Sequence, residues 1–427
     1  MKNRSGALFL LFASLLFGQN ETGELRLTVT DPSGLALPSS VELASNSNQY
    51  RHTFATDPDG KLVAKRLPFG MYRVRIQHEG FAPYAELVEI RSAIPLERSV
   101  TLAIATAETT VVVSDAGTLV DPHSTGVTRR IGSGTLQDRT GAAPGRSLVE
   151  LVNTQPGWLL EANAVLHPRG SEYQVQYVVN GIPMTDNRSP SFAPEIEADD
   201  VQSMNVLTAN YPAEYGRKLG GIIEVNTARD SRQGFHGKVT ASGGSFDTAG
   251  GYVMGQYGWG RNTLSLSGDT ARTDRFLDSP VEQNYTNSGT TGSFAAHYER
   301  DLSDSDRLGV VLRREQSRFL VPNEQIQQDA GQRQDRDSYE TVGQFSYQHI
   351  FSPKWLAEVR GMSRDLSASL WSNPSATPII ATQNRGFREG YAKAAVSAHL
   401  GHQELKAGVE ADFGSIQEAL SYRITNR

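Results

Sequence analysis

The sequence predicts a mainly β protein in three parts: a small N-terminal β-sandwich, a middle region of short strands and glycine turns, and a C-terminal antiparallel sheet patterned like a transmembrane β-barrel. Three observations carry this. Apolar and polar residues alternate with period two in many short runs bounded by Gly, Pro, Asp and Asn. The chain is 427 residues long, more than one ordinary domain, and its 40 glycines with only 38% apolar residues suit a turn-rich β protein better than a helical core. After residue 235, short and long connections alternate between strand-like runs, the layout of an outer-membrane barrel.

The first residues have the layout of an export signal. Lys2 and Arg4 precede the apolar run Ala7 to Phe17, which is too short to span a bilayer as a helix, and cleavage is expected near Gly18 or Gln19. No cysteine follows, so neither a lipid-anchored cysteine nor a disulfide is available. No later stretch reaches the ~20 apolar residues of a transmembrane helix, so a membrane location requires a β-barrel. A net charge of −6 provides no basic footprint for DNA or RNA, so no nucleic-acid partner is expected.

Residues 21–105 form the first region, after a signal at 1–19. Leu25 to Val29, Val41 to Leu43, Tyr72 to Ile76 and Leu87 to Ile90 alternate in polarity. They are separated by Asp31-Pro32-Ser33-Gly34, Asp57-Pro58-Asp59-Gly60 and Pro68-Phe69-Gly70, residues that turn geometry favours. About seven strands in this length predict a small antiparallel sandwich. The Asp57 to Gly60 stretch lacks the further ligands and closing Glu of a calcium loop and reads as a turn. Through Thr28 to Leu37, Ala55 to Leu62, Leu67 to Val74 and Gly80-Phe81, the region resembles the carboxypeptidase-regulatory-like, transthyretin-like domain. Spacer or docking module is the role this resemblance implies; no peptidase chemistry comes with it.

Residues 106–230 form the second region. Thr106 to Asp115 (TAETTVVVSD) is either one more strand or an exposed edge that a partner extends by main-chain pairing. Then come Arg146 to Leu160, His167-Pro168-Arg169-Gly170, Val175 to Asp186 (VQYVVNGIPMTD) and residues 206–227 (VLTANYPAEYGRKLGGIIEVNT), which read as strand, tight glycine connection, strand. In order and spacing, these motifs resemble the plug domain of TonB-dependent outer-membrane receptors, of the Oar-like kind.

The resemblance implies an α+β plug in which Arg169, Gly170, Asn180, Gly181, Tyr215, Gly216, Gly220 and Gly221 are structural. Gly220 and Gly221 would let a hairpin pack closely inside a barrel wall. Asn180 stands where the family usually has Asp, and Pro168 stands where it has Ile. By the same resemblance, Glu108, Thr109, Thr110, Val111, Val112 and Val113 are the TonB box, which TonB pairs with as an added strand in the periplasm.

Residues 235–427 form the third region, a partial antiparallel transmembrane β-barrel. Leu405, Ala407, Val409, Ala411 and Phe413 share one face, opposite Glu404, Lys406, Glu410 and Asp412. Likewise Trp355, Ala357 and Val359 oppose Leu356, Glu358 and Arg360. A soluble sheet with one wet face gives the same alternation, so the connections decide. Short turns are expected near 259–261, 303–306, 351–354 and 401–403, and long polar stretches near 273–290, 318–338 and 367–388. About nine strands follow the plug, whereas a plugged transporter needs about 22, so the sequence reads as the N-terminal part of a larger receptor.

No catalytic residue, cofactor or metal site is expected. The nine histidines are scattered, and no nucleophile elbow, phosphate loop or dinucleotide fingerprint occurs. The resemblance implies energy-coupled uptake of an extracellular ligand, with TonB and outer-membrane lipid as partners. The alternative is a surface binding or adhesion protein without transport. The loop aromatics Trp371 and Tyr285 are candidates for ligand contact.

Overall fold

The computed structural model describes residues 22–105, 128–139, 143–161, 165–169, 175–184, 196–209, 211, 215, 220–227, 232–401 and 403–425. The expected signal, the Glu108 to Val113 segment, Gly170 and Gly216 lie outside the described residues.

The first unit is built from β1 (Thr22–Thr30), β2 (Ser40–Ser45), β3 (Tyr50–Ala55), β4 (Lys61–Pro68), β5 (Gly70–Gln77), β6 (Tyr84–Ile90) and β7 (Leu96–Thr101). They form two sheets, ordered β4-β1-β7 and β3-β2-β5-β6. Alternate residues Leu25, Leu27 and Val29 from one sheet meet Val41, Leu43, Tyr72, Val74 and Ile76 from the other. Turn chemistry sets the hairpins. The Asp57 carboxylate accepts from Lys61 N at 2.8 Å while Gly60, at φ +70°, closes the turn with its N–H on the Asp57 carbonyl. The sandwich is not wholly antiparallel as expected: β7 runs parallel to β1. It arrives from the opposite sheet, since β6 belongs to the other layer, and a crossover can deliver a strand in the same direction where a hairpin cannot.

The second unit comprises β8 (Thr128–Ile131), α1 (Ser133–Gln137), α2 (Ser147–Asn153), β9 (Trp158–Leu160), β10 (Leu166–Pro168), β11 (Gln176–Val179), β12 (Ile182–Met184), a 3-10 turn at Ala198–Asp200, β13 (Val201–Leu207) and β14 (Ile222–Thr227). Its main sheet is ordered β12-β11-β14-β13-β8, with β11 and β14 parallel. Both central strands are buried along nearly their whole length because both faces are covered. One face packs on Leu148, Val152 and Trp158; Val178, Leu207 and Ile222 on the other meet Tyr211 and Tyr215. β13 ends at Leu207 and β14 begins at Ile222, so residues 208–221 separate the two strands where the sequence suggests a tight connection. Pro168 ends a two-stranded ribbon of β9 and β10, opposite Trp158, a sheet-edge position that proline tolerates.

The third unit is β15 (Gly234–Gly244), β16 (Thr248–Trp259), β17 (Asn262–Thr273), β18 (Gly289–Asp301), β19 (Asp306–Leu320), α3 (Gln325–Asp329), β20 (Gln334–Ser352), β21 (Trp355–Ser372), β22 (Ile379–Leu400) and β23 (Gln403–Ile424). The nine strands pair in sequence order as one antiparallel meander. Its polarity is the reverse of a soluble sheet. Val239, Val253, Leu266, Leu312, Val359, Val409 and Phe413 are exposed, while Gln256, Glu299, Arg313, Glu340, Glu358, Arg364 and Lys393 are buried. An apolar outside and a charged inside is how a barrel wall divides lipid from lumen. Among the described residues, no helix is long and apolar enough to cross a membrane.

The short connections between β16 and β17, β18 and β19, β20 and β21, and β22 and β23 share one rim, as the sequence suggests. The stretch 367–388 is a correction: most of it is strand, and only 373–378 connects β21 to β22. Trp371 therefore sits on a strand, paired with Thr382, and is not a loop residue. The polarity of this stretch hides the strand because the wall continues above its apolar band. On β23 the outward positions change from Leu405, Val409 and Phe413 to Ser415, Gln417 and Ser421, a change that a strand leaving the hydrocarbon requires.

Candidate functional site

The second unit sits inside the curve of the third, so it occupies the position of a plug. The contact begins at a turn. Asn180 (φ 53°) and Gly181 (φ 72°) are the two central residues between β11 and β12, a type I′ hairpin that requires two positive φ angles. The turn aims the Asn180 side chain at the wall. Its amide donates to Gln344 Oε1 at 3.0 Å, and its carbonyl Oδ1 accepts from Thr227 N at 3.1 Å and Thr227 Oγ1 at 3.2 Å. Gln344 donates in return to the Val179 carbonyl, and Arg360 donates to the Asn180 carbonyl. Asparagine serves here where aspartate could not, because the contact to Gln344 Oε1 needs a donor.

A second contact is ionic. The 3-10 turn before β13 presents Asp199 and Asp200 to the wall. Lys238 of β15 donates to Asp199 at 2.6 Å, and Arg139 of the plug bonds the same carboxylate. Burial opposes ionisation of Asp199, but the two cations hold its carboxyl below the usual carboxylate range. Asp200 accepts from Tyr252 at 3.3 Å and Ser267 at 2.8 Å, with Arg313 beside it at 3.8 Å. Along the inner wall, Arg364 bridges Glu340 at 2.7 Å and Glu389 at 3.3 Å, and Lys393 pairs with Glu358 at 2.9 Å. Those last pairs lie within the wall; across the interface the hydrogen bonds and ion pairs of Asn180, Asp199 and Asp200 stand beside an apolar contact in which Val342, Met362 and Tyr391 of the wall join the plug core.

A cleft of about 880 Å³ separates part of the plug from β15–β17, bordered by Arg139, Glu197, Lys238, Tyr252 and Asp269. Glu197 on its margin accepts from Gly145 N at 2.9 Å and from the Ser147 hydroxyl, and burial pushes its carboxyl upward.

The glycine stretch resolves differently from expectation. A Cβ on Gly221 would lie 2.0 Å from Cη2 of Trp158, so Gly221 makes room for an indole of the plug itself and not for the barrel wall. That indole is fixed by its Nε1 donating to Thr208 Oγ1 at 3.1 Å. Gly220 is buried beside it in the chain. Tyr215 donates to Glu224 of β14, a buried carboxylate that also accepts from Asn205 at 2.9 Å. Arg169 has φ 50° and its N–H closes on the Gly157 carbonyl at 2.6 Å, ending β10. Asn180 meets the wall, whereas Arg169, Tyr215 and Gly221 organise the plug around Trp158 and β14. Among the described residues, no group of acidic or histidine side chains could hold a metal ion.

Sequence reasoning missed Asp199, Asp200, Arg313, Gln344 and Arg360, the pairs that join plug to wall. A signal exists: Arg313 and Glu315, and Glu358, Arg360 and Arg364, recur at even spacing within strands, which puts them on one face.

A strand wall with an apolar outside and a charged inside, curved around a small mixed sheet, defines the plugged β-barrel fold of outer-membrane receptors. The chain is similar to the TonB-dependent transporter Oar of Myxococcus xanthus, 29% identical over 248 residues that make up 55% of this chain and 22% of that protein. Among solved structures, it is similar to the ferripyoverdine receptor of the outer membrane of Pseudomonas aeruginosa, with TM-score 0.57 and 13% identity over 75% of this chain and 48% of that one. It is also similar to the ferric citrate transporter FecA, with TM-score 0.56 and 15% identity over 70% of this chain and 49% of that one. The chain thus spans less than half the length of these relatives. No protein-family model matches it.

Proposed function

We propose that the protein acts as a TonB-dependent outer-membrane receptor for energy-coupled uptake of an extracellular substrate, exported by its N-terminal signal. The observation that supports this most is a compact plug held in a barrel wall by polar contacts, in a chain similar to a TonB-dependent transporter. A plug held by hydrogen bonds and ion pairs can exchange them for water one at a time, which an apolar core cannot do without a large cost. Glu108 to Val113 would be the strand that TonB pairs with, joining the sandwich to the plug. The protein is a carrier of force and ligand and not an enzyme, with no cofactor of its own.

Proline at Val111 or Val112 tests the reading, because proline removes a ladder donor from an added strand. In cells carrying the complete gene, Val112→Pro should abolish energy-dependent uptake and binding of the TonB C-terminal domain while leaving surface abundance unchanged. Undiminished uptake would replace transport with a surface-binding role.

A further inference from the structure

We propose that the N-terminal sandwich is a cap seated on the short-turn mouth of the barrel, held there by a reversible ionic contact that shields the plug from that side. The seat spans three successive short turns. Lys65 and Arg66 of β4 pair with Asp301 and Glu299 at the end of β18. Glu24 of β1 pairs with Arg307 at 2.8 Å, and Arg307 also holds Asp301 at 3.0 Å, so the two sides interlock. Arg26 donates to the Asp304 carbonyl at 3.0 Å in the turn itself. Further round the rim, Ile94 packs on Ile350 and Leu356, which flank the 353–354 turn, and Arg91 approaches Glu404 near the start of β23 at 3.7 Å.

The same sandwich touches the plug. Gln49, in the turn between β2 and β3, accepts from Thr135 N at 2.7 Å through its side chain and from Ser133 Oγ at 3.2 Å through its carbonyl. A Cβ on Gly132 would lie 2.1 Å from the Asn48 carbonyl oxygen, so this approach depends on a glycine. One domain therefore bridges plug and wall across the mouth.

The chemistry of the seat favours release over permanent fusion. Among the described residues its apolar part is one small cluster, beside charge pairs on long side chains, the kind of inter-domain contact across which relative motion is the default. Where the three units meet there is a polar cavity of about 70 Å³, bordered by Arg66, Asn180, Gln202, Thr227, Glu299 and Arg307, which is roomy and polar enough for water.

The chain has no cysteine, so a single Gln202→Cys gives a clean probe of the mouth. The full chain, reconstituted in vesicles, is labelled with a membrane-impermeant maleimide from the short-turn side. Labelling should be slow in the Gln202→Cys protein, faster by roughly tenfold or more when Arg66→Glu is added, and slow again with Arg66→Glu and Glu299→Arg together. Ser33→Cys, in an exposed turn, should label at one rate in all three backgrounds. Equal rates at Gln202→Cys, or no recovery in the charge-swapped pair, would overturn the cap. If Arg66→Glu fails to fold, Ile94→Asp decides from the other part of the seat, because it puts a charge into the small apolar contact with Ile350 and Leu356: Gln202→Cys should label faster when Ile94→Asp is added, and an unchanged rate would overturn the cap. The measurement needs neither TonB nor ligand, so its failure strikes the cap and leaves the transport reading in place.

Discussion

Asn180 of the plug donates its side-chain amide to Gln344 Oε1 of the wall at 3.0 Å, while Gln344 donates back to the carbonyl of the neighbouring Val179 at 3.3 Å. Both groups are buried, so removing the wall partner leaves a donor and an acceptor in the plug unsatisfied. Gln344→Leu should cost about 1–3 kcal/mol at this contact. The expected readout is hydrogen exchange at least roughly tenfold faster across β11 and β12, with wall amides unchanged. Unaltered exchange there would mean that the hairpin is held by its own sheet alone.

Gly221 lies beneath the Trp158 ring, with no room for a methyl group. Gly221→Ala should destabilise the plug by about 1–3 kcal/mol through overpacking. The same substitution in a Trp158→Leu background should cost clearly less, because the clashing ring is gone. Thermal unfolding of the four proteins, arranged as a cycle, separates this from a general intolerance at position 221.

Glu224 is buried in the plug sheet between Tyr215 and Asn205, and burial raises its carboxyl above the ordinary range. Folding then favours the protonated form. Its ionisation costs stability above the folded pKa, and that cost disappears as pH falls towards the unfolded value near ~4.3. Glu224→Gln should therefore stabilise the plug at pH 8 and make no difference below about pH 4. Denaturation midpoints at the two pH values check this; an equal loss of stability at both would refute it.

Val359 points outward between Glu358 and Arg360, which point in. A charge at such a lipid-facing site costs about 2–4 kcal/mol near the bilayer midplane. Val359→Arg should lower the urea midpoint of the protein in vesicles, whereas Thr382→Arg, on the outward face above the apolar band, should leave it unchanged. Equal effects would place the band elsewhere.

The wall is the most legible part of the sequence. Period-two alternation survives in a single strand such as Trp355 to Arg360, and the structure exposes Trp355 and Val359 while burying Leu356, Glu358 and Arg360 as that pattern requires. The short turns are legible too, because Ser-Pro-Lys at 352–354 and the glycine at 401 mark them locally. Pairing across long separations is not. Nothing near Gly221 announces Trp158, and Asp199 carries no mark of Lys238. Lys65 and Asp301 each read as ordinary solvated charge until the fold brings the sandwich to the rim. The extent of β21 and β22 is hidden for another reason: above the apolar band, a strand with water on its outer face looks like a loop.

The strands of the wall are unequal. β15 has 11 residues and β18 has 13, while β22 and β23 have 22 each. At roughly 3.3 Å per residue, the longer pair overtops the shorter strands by about 30 Å along their axes. Because the short turns share one level, the excess stands on the opposite side as a one-sided parapet. The described strands thus form a rising edge, and a body approaching from that side would meet β22 and β23 before β15 and β18.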